Sequence, residues 1–97
     1  MQIGRVEGTV VASQKDNGLS GMKLQVVQQT DHFGKPKGSY VVAVDSVGAG
    51  VGELVLLASG SSARQTELTL NKPVDAVIMA VVDEIEVRGE TTFVKDY

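Results

Sequence analysis

The sequence predicts a small, mainly β domain: a closed, OB-like antiparallel barrel of five or six short strands with one short helical segment. Two observations carry this reading. Val, Leu, Ile and Thr recur in short runs separated by glycine-bearing turns, the pattern of antiparallel strands. Only SSARQTELTLNKP, residues 61–73, has helical character, and Asn71 and Pro73 close it. At 97 residues the chain holds one domain, 1–97. Its core must be modest, because a domain of this length buries only roughly 60–65% of its unfolded surface.

Taken in order, a first strand runs from Ile3 to Ala12, and Lys15-Asp16-Asn17-Gly18 turns the chain. The second strand covers 22–30, where Leu24 and Val26 alternate with Gln25 and mark the apolar face. DHFGKPKG, 31–38, reads as a loop, since Gly34, Pro36 and Gly38 resist regular pairing. Strands Tyr40–Val44 and Leu54–Ala58 flank a glycine loop, and a long strand spans Ala76–Val87. Arg88-Gly89-Glu90 is a turn before a last strand, Thr91–Lys95. Leu56 and Ile78 are expected in the core. Along the long strand Asp83 shares a face with Met79, Val81, Ile85 and Val87, while Glu84, Glu86 and Arg88 face the other way.

One feature does not suit a solitary barrel. Strands with water outside should alternate apolar and polar residues. Yet Val41–Val44, Leu54–Ala58 and Ala76–Val82 are apolar on both faces. A barrel has one interior, so the outward side chains need a cover, and further copies of the same chain supply it. The short helical segment can shield one such strand but not three.

Chemistry finds little support. The glycine loop Gly48-Ala49-Gly50-Val51-Gly52-Glu53 lacks the Lys-Ser/Thr of a phosphate loop and places a carboxylate there instead. It also misses the GxGxxG spacing of a dinucleotide site. Ser62 is followed by Ala63 and Arg64, so the elbow of a serine hydrolase is absent. His32 is the only histidine; in its Gly/Pro loop it reads as a solvated side chain, and alone it makes a poor metal site. Asp83 could be an acid with a raised pKa, but the structural reading is preferred: a hydrogen-bond acceptor for Arg5, Arg64 or a neighbour's backbone. A net charge of -3, two Phe, two Tyr and no Trp argue against nucleic-acid binding, which needs stacking aromatics over a basic groove. The absence of cysteine excludes disulfides and thiolate metal sites. No apolar run approaches a membrane span, and the start MQIGRVEGTVV has no leader-like stretch, so a soluble cytosolic protein is expected.

MQIGRVEGTVVASQKDNGLSGMKLQVV, VDSVGAGVGELVLLASGSSAR and PVDAVIMAVVDEIEV together closely resemble the EutN/CcmL family of bacterial microcompartment shell vertex proteins. The resemblance runs in order through nearly the whole chain and is most specific in VGAG-GE, GSSAR and PVDA…VVD. It implies an OB-like barrel assembled as a cyclic homopentamer that plugs five-fold shell vertices beside hexagonal shell proteins in the cytoplasm. It implies no enzyme activity, cofactor, metal, nucleic acid or membrane partner. Asp45, Ser46, Gly48, Ala49, Gly50, Val51, Gly52 and Glu53 would then line the loop near the five-fold axis. Ser59, Gly60, Ser61, Ser62, Ala63, Arg64 and Asp83 would lie at the subunit contact. GSSAR is similar to vertex proteins of catabolic compartments handling ethanolamine, propanediol or glycyl-radical substrates, while the opening is equally similar to carboxysomal ones; the reading leans to the former. The alternatives are a small OB-like binding module for nucleic acid or a metabolite, and a small enzyme using Asp83 or His32.

Overall fold

The computed structural model describes residues 1–72 and 74–96; the expected helix stop at Pro73 lies outside them. Seven strands follow in order: β1 (Gln2–Val10), β2 (Leu24–Thr30), β3 (Pro36–Asp45), β4 (Leu54–Ser59), β5 (Ala76–Val81), β6 (Glu84–Val87) and β7 (Glu90–Val94). Two short 3-10 helices, Asn17–Leu19 and Gly60–Arg64, complete the described elements. The first five strands close a barrel in the order β1-β2-β3-β5-β4, and β6 and β7 form a separate hairpin. Four of the barrel's neighbour pairs are antiparallel. The fifth, β3 with β5, is parallel and consists of Val44↔Val77 and Asp45↔Ile78.

Period-two alternation sorts the side chains into two cores. Val6, Val27, Ala43, Val55, Leu57 and Ile78 fill the barrel. Their alternates Val44, Ala58 and Val77 point outward and pack with Ala63 and Val74 into a second cluster, flanked by Leu19, Met22 and Leu24. The Gly60–Arg64 helix and its surroundings thus cover positions on β3, β4 and β5 together, which corrects the expectation that this segment could shield only one strand. Tyr40 and Val42 still remain 63% and 50% exposed.

Other expectations are corrected as well. The 22–30 segment presents Gln25 and Val27 inward, both buried, whereas Leu24 and Val26 are only partly buried. Leu56 faces outward and is only partly buried, because period-two alternation gives the interior to its neighbours Val55 and Leu57. The 31–38 segment is a tight turn: the Asp31 carboxylate accepts from the N–H groups of Phe33 (2.9 Å) and Lys35 (3.0 Å). β3 therefore starts at Pro36, where a missing N–H is tolerated, and the sheet absorbs Gly38 (φ 72°) in an irregular register.

The long Ala76–Val87 strand is interrupted. β4 begins only at Leu54, so β5 runs out of partner: Val55 pairs with Val81, and the Val82 N–H reaches the Leu54 carbonyl at 2.8 Å. The chain then leaves the barrel, and the Asp83 carbonyl accepts from the Lys95 N–H at 2.7 Å. Asp83 is exposed at this break, so the apolar face it was expected to share does not exist. The turn at 88–90 is as expected, with Arg88 (φ 53°) and Gly89 (φ 80°) both left-handed, as a two-residue hairpin requires.

Candidate assembly site

The glycine loop between β3 and β4 is braced from three directions. From inside the barrel, the Gln25 amide donates to Asp45 Oδ2 (3.2 Å) and to the Ala49 carbonyl (2.9 Å). Its Oε1 accepts from the Thr9 hydroxyl at 3.0 Å. Asp45 Oδ1 in turn accepts from the N–H groups of Val47 (3.0 Å) and Gly48 (2.9 Å), closing the first half of the loop on itself. From β5, the Ile78 carbonyl accepts from the Ser46 hydroxyl at 2.6 Å. From β1, the Gly52 N–H donates to the Val6 carbonyl (2.7 Å), and Arg5 Nη1 donates to the Gly52 carbonyl (2.8 Å).

Gln25 is 1% exposed, and its polar atoms are satisfied only by this arrangement. Gln25→Leu leaves Asp45 and the Ala49 carbonyl without that donor inside the barrel. The expected cost is ~1–3 kcal/mol, read as a lower denaturation midpoint, with faster amide exchange confined to 46–52. An unchanged loop exchange rate would remove Gln25 from this role.

The second half of the loop hangs on Glu53. Its Oε1 accepts from the Gly50 N–H at 2.6 Å, and its Oε2 meets Lys95 Nζ at 2.6 Å. The Lys95 ammonium, and secondarily the Gly50 N–H, hold the Glu53 carboxyl below the usual carboxylate range. A carboxyl lowered by folding stabilises the fold above its unfolded-state pKa, and that contribution is lost as pH falls through the lowered value. Stability should therefore be complete at neutral pH and decline on acidification. Glu53→Gln should shallow that decline in denaturant titrations at neutral and acid pH; equal slopes would exclude Glu53 as a contributor. Asp31, lowered chiefly by the Lys35 N–H, acts in the same direction, so some decline should persist.

Lys95 lies just beyond β7, so this ion pair ties the β6–β7 hairpin to the loop. Arg5 adds a second tie: Nη2 donates to the Gly34 carbonyl at 3.0 Å, and the guanidinium lies 5.9 Å from the Phe93 ring centroid. The Thr92 hydroxyl donates to the His32 carbonyl at 2.7 Å.

The structure sorts the expected site residues. Ser46, Gly48, Gly50, Val51 and Gly52 are exposed and Glu53 is half-buried, but Asp45 and Ala49 face inward and brace the loop rather than line its surface. Gly48 (φ 78°) and Gly52 (φ 91°) hold left-handed conformations; Gly50 does not. Ser59, Gly60, Ser61, Ser62 and Arg64 are exposed, whereas Ala63 is fully buried within its own chain and cannot touch a neighbour. Ser59 pairs with Ala76 at one end of the β4–β5 ladder, while Asp83 follows the other end, so the two halves of the expected contact lie apart. Arg5 and Arg64 donate to backbone carbonyls, Arg64 to that of Val74 at 3.1 Å. His32 is half-buried rather than solvated; its ring packs on Phe33 with centroids 4.4 Å apart. No hydrogen bond joins it to Ser62 among the described residues.

Sequence reasoning missed the bracing roles of Gln25 and Lys95 and considered Arg5 only as a partner for Asp83. No local signal sets Gln25 apart from Gln28 and Gln29 in the same strand, LQVVQQT.

What these braces define is a structural barrel: its loop amides and carboxylates are engaged in holding a shape. The chain belongs to the family described as ethanolamine utilisation protein EutN/carboxysome, whose model matches residues 1–83. It is 45% identical to the carboxysome shell vertex protein CcmL of Gloeobacter violaceus over 98% of this chain and 95% of that protein. It is 43% identical to the microcompartment shell vertex protein EutN of Salmonella typhimurium, over 98% and 96%. Among solved structures, CcmL of Nostoc sp. superposes with a TM-score of 0.93 at 46% identity, covering 98% of this chain and 100% of that one. GrpN of Rhodospirillum rubrum, described as a pentameric microcompartment shell protein, gives 0.82 at 45%, covering 90% and 99%. These relatives are described as shell vertex proteins, named for a part of a shell rather than for a reaction.

Proposed function

We propose that the chain assembles as a cyclic homopentamer that closes the five-fold vertices of a bacterial microcompartment shell, beside hexagonal shell proteins in the cytoplasm. The observation that carries this is its likeness, over nearly its whole length, to a relative described as a pentameric shell protein. Tyr40 and Val42 on β3 and Val47 and Val51 in the glycine loop support it: all four are exposed on a lone subunit and would gain cover from neighbours in a ring. In this reading Ser46 and Gly48 to Glu53 lie near the five-fold axis, and Ser59–Ser62 with Arg64 lie at the subunit contact. GSSAR favours a catabolic compartment, although relatives of the two kinds match almost equally, at 45% and 43%. Co-expression with hexagonal shell proteins of each kind, scored by closed shells, separates them.

Native mass spectrometry of the purified chain tests the ring: five copies are expected, and a stable monomer would refute it. Gly48→Val supplies the second arm. A Cβ there meets open space, so its cost is the left-handed backbone alone, ~1–3 kcal/mol confined to the loop. Sedimentation should then show smaller species with β-type circular dichroism intact. A fully pentameric variant would displace the loop from the axis.

A further inference from the structure

Among the described residues, β3 and the β6–β7 hairpin have strand edges without partners. β3 pairs with β2 along one side, but β5 meets its other side only at Val44 and Asp45, so Pro36–Ala43 has an open edge. Beside that edge runs a groove lined by Gln2, Val42, Ser59, Gly60 and Asp75. The β6–β7 hairpin is a sheet of two strands, so β6 likewise has a free side. Open edges are templates for pairing with another chain, and a two-stranded sheet is marginal by itself.

The charges at the two edges are opposite. Lys35 and Lys37 flank the start of β3, two residues apart and both exposed. Glu84 and Glu86 occupy β6 with the same spacing, exposed, while Ile85 and Val87 between them are half-buried. Residues two apart in extended chain share a face, so Glu84 and Glu86 point the same way from β6; Lys37 near the start of β3, with Lys35 in the turn just before it, offers the opposite sign.

We propose that β6 of one subunit adds to the open edge of β3 in the next, making the β6–β7 hairpin the strap between neighbours in the ring. This rests on the ring reading given above. Main-chain hydrogen bonds supply the adhesion, and the Lys35/Lys37 and Glu84/Glu86 pairs set register and partner. The contact uses two different surfaces of the same chain, so it propagates head to tail and closes as a ring.

The chain has no cysteine, so Lys37→Cys with Glu84→Cys or Glu86→Cys can be cross-linked without background. Oxidation with copper phenanthroline should give a covalent ladder reaching five chains on a denaturing gel, since facing strands bring Cα atoms within disulfide range. In a second arm, reversing only the glutamates (Glu84→Lys, Glu86→Lys) or only the lysines (Lys35→Glu, Lys37→Glu) should shift native mass spectra toward smaller species. Reversing all four should restore the five-fold species. If the wild type is a pentamer while the cysteine-pair variants yield only monomers on oxidation and neither charge reversal shifts the spectra, the strap is overturned and the ring stands; Pro36 and Lys37 would then only guard the edge. A monomeric wild type overturns the ring itself, and the strap with it.

Discussion

Ile78→Asp is expected to abolish soluble, folded protein. Ile78 is fully buried in the barrel, pairs with Leu57 on β4 and with Asp45 on β3, and so sits where the barrel closes. A carboxylate there has apolar neighbours on the interior side, and Asp45 already has its acceptors filled by Gln25 and two loop amides. The penalty for an unpaired buried charge adds to the lost isoleucine packing, and together they exceed about 4 kcal/mol, a large fraction of the stability of a small domain. The comparison is Leu56→Asp, whose outward, only partly buried position should cost the isolated fold much less. Thermal unfolding by circular dichroism checks both, and similar melting temperatures for the two variants would contradict the assigned faces.

The second large effect is expected at Gly4. A Cβ built there would lie 2.5 Å from Val27 Cγ1, 3.0 Å from the Gln28 carbonyl oxygen and 3.2 Å from Leu57 Cδ1. Gly4 pairs with Gln29 of β2 and Val55 of β4, so both flanking strands would have to part to admit a side chain. Gly4→Val should cost ~1–3 kcal/mol or more by overpacking, while Gly8→Val, whose Cβ meets nothing within 4 Å, should be tolerated. Denaturant midpoints distinguish the pair, and equal loss at both positions would mean the effect is not steric.

These two sites show what could be read from the sequence and what could not. Ile78 was identifiable because it lies in a continuous apolar run, and such runs mark buried strands whichever face is which. Gly4 was not, since a glycine in a strand looks the same whether it fills a tight interior corner or an open edge. The β4 strand, the 88–90 turn and the glycine loop were legible from local signals: apolar runs, left-handed turn residues and glycine spacing. The break after Val81 was invisible because Glu84 to Val87 keep the apolar/polar alternation of a strand; the stop comes from where β4 begins, a fact about a distant partner. The inward turn of Gln25 was lost for a related reason, as its cost is offset by Asp45, Ala49 and Thr9, all remote in sequence. At the site, the exposed loop residues were legible, but the inward facing of Asp45, Ala49 and Ala63 depended on packing that no local pattern encodes.

The brevity of the parallel β3–β5 contact has a kinetic consequence. β1 with β2, β2 with β3 and β4 with β5 join strands that follow one another in sequence, whereas closure needs β1 to find β4 and β3 to find β5. Contacts between remote segments carry the larger loop-closure entropy and form late. Val44↔Val77 and Asp45↔Ile78 are the shorter of the two closing ladders, so conservative truncation of Val77 should speed unfolding while leaving the folding rate nearly unchanged. Val27→Ala, between β1 and β3, should slow folding instead. Stopped-flow chevrons would show the contrast, and a Val77→Ala variant that folds slowly would place the seam in the nucleus. Late closure also leaves a nascent subunit with an open-sided sheet while other copies are being made nearby. The rate of sealing that seam, more than the depth of the final well, then sets how much newly synthesised chain is lost to tangling with its neighbours before a subunit is complete.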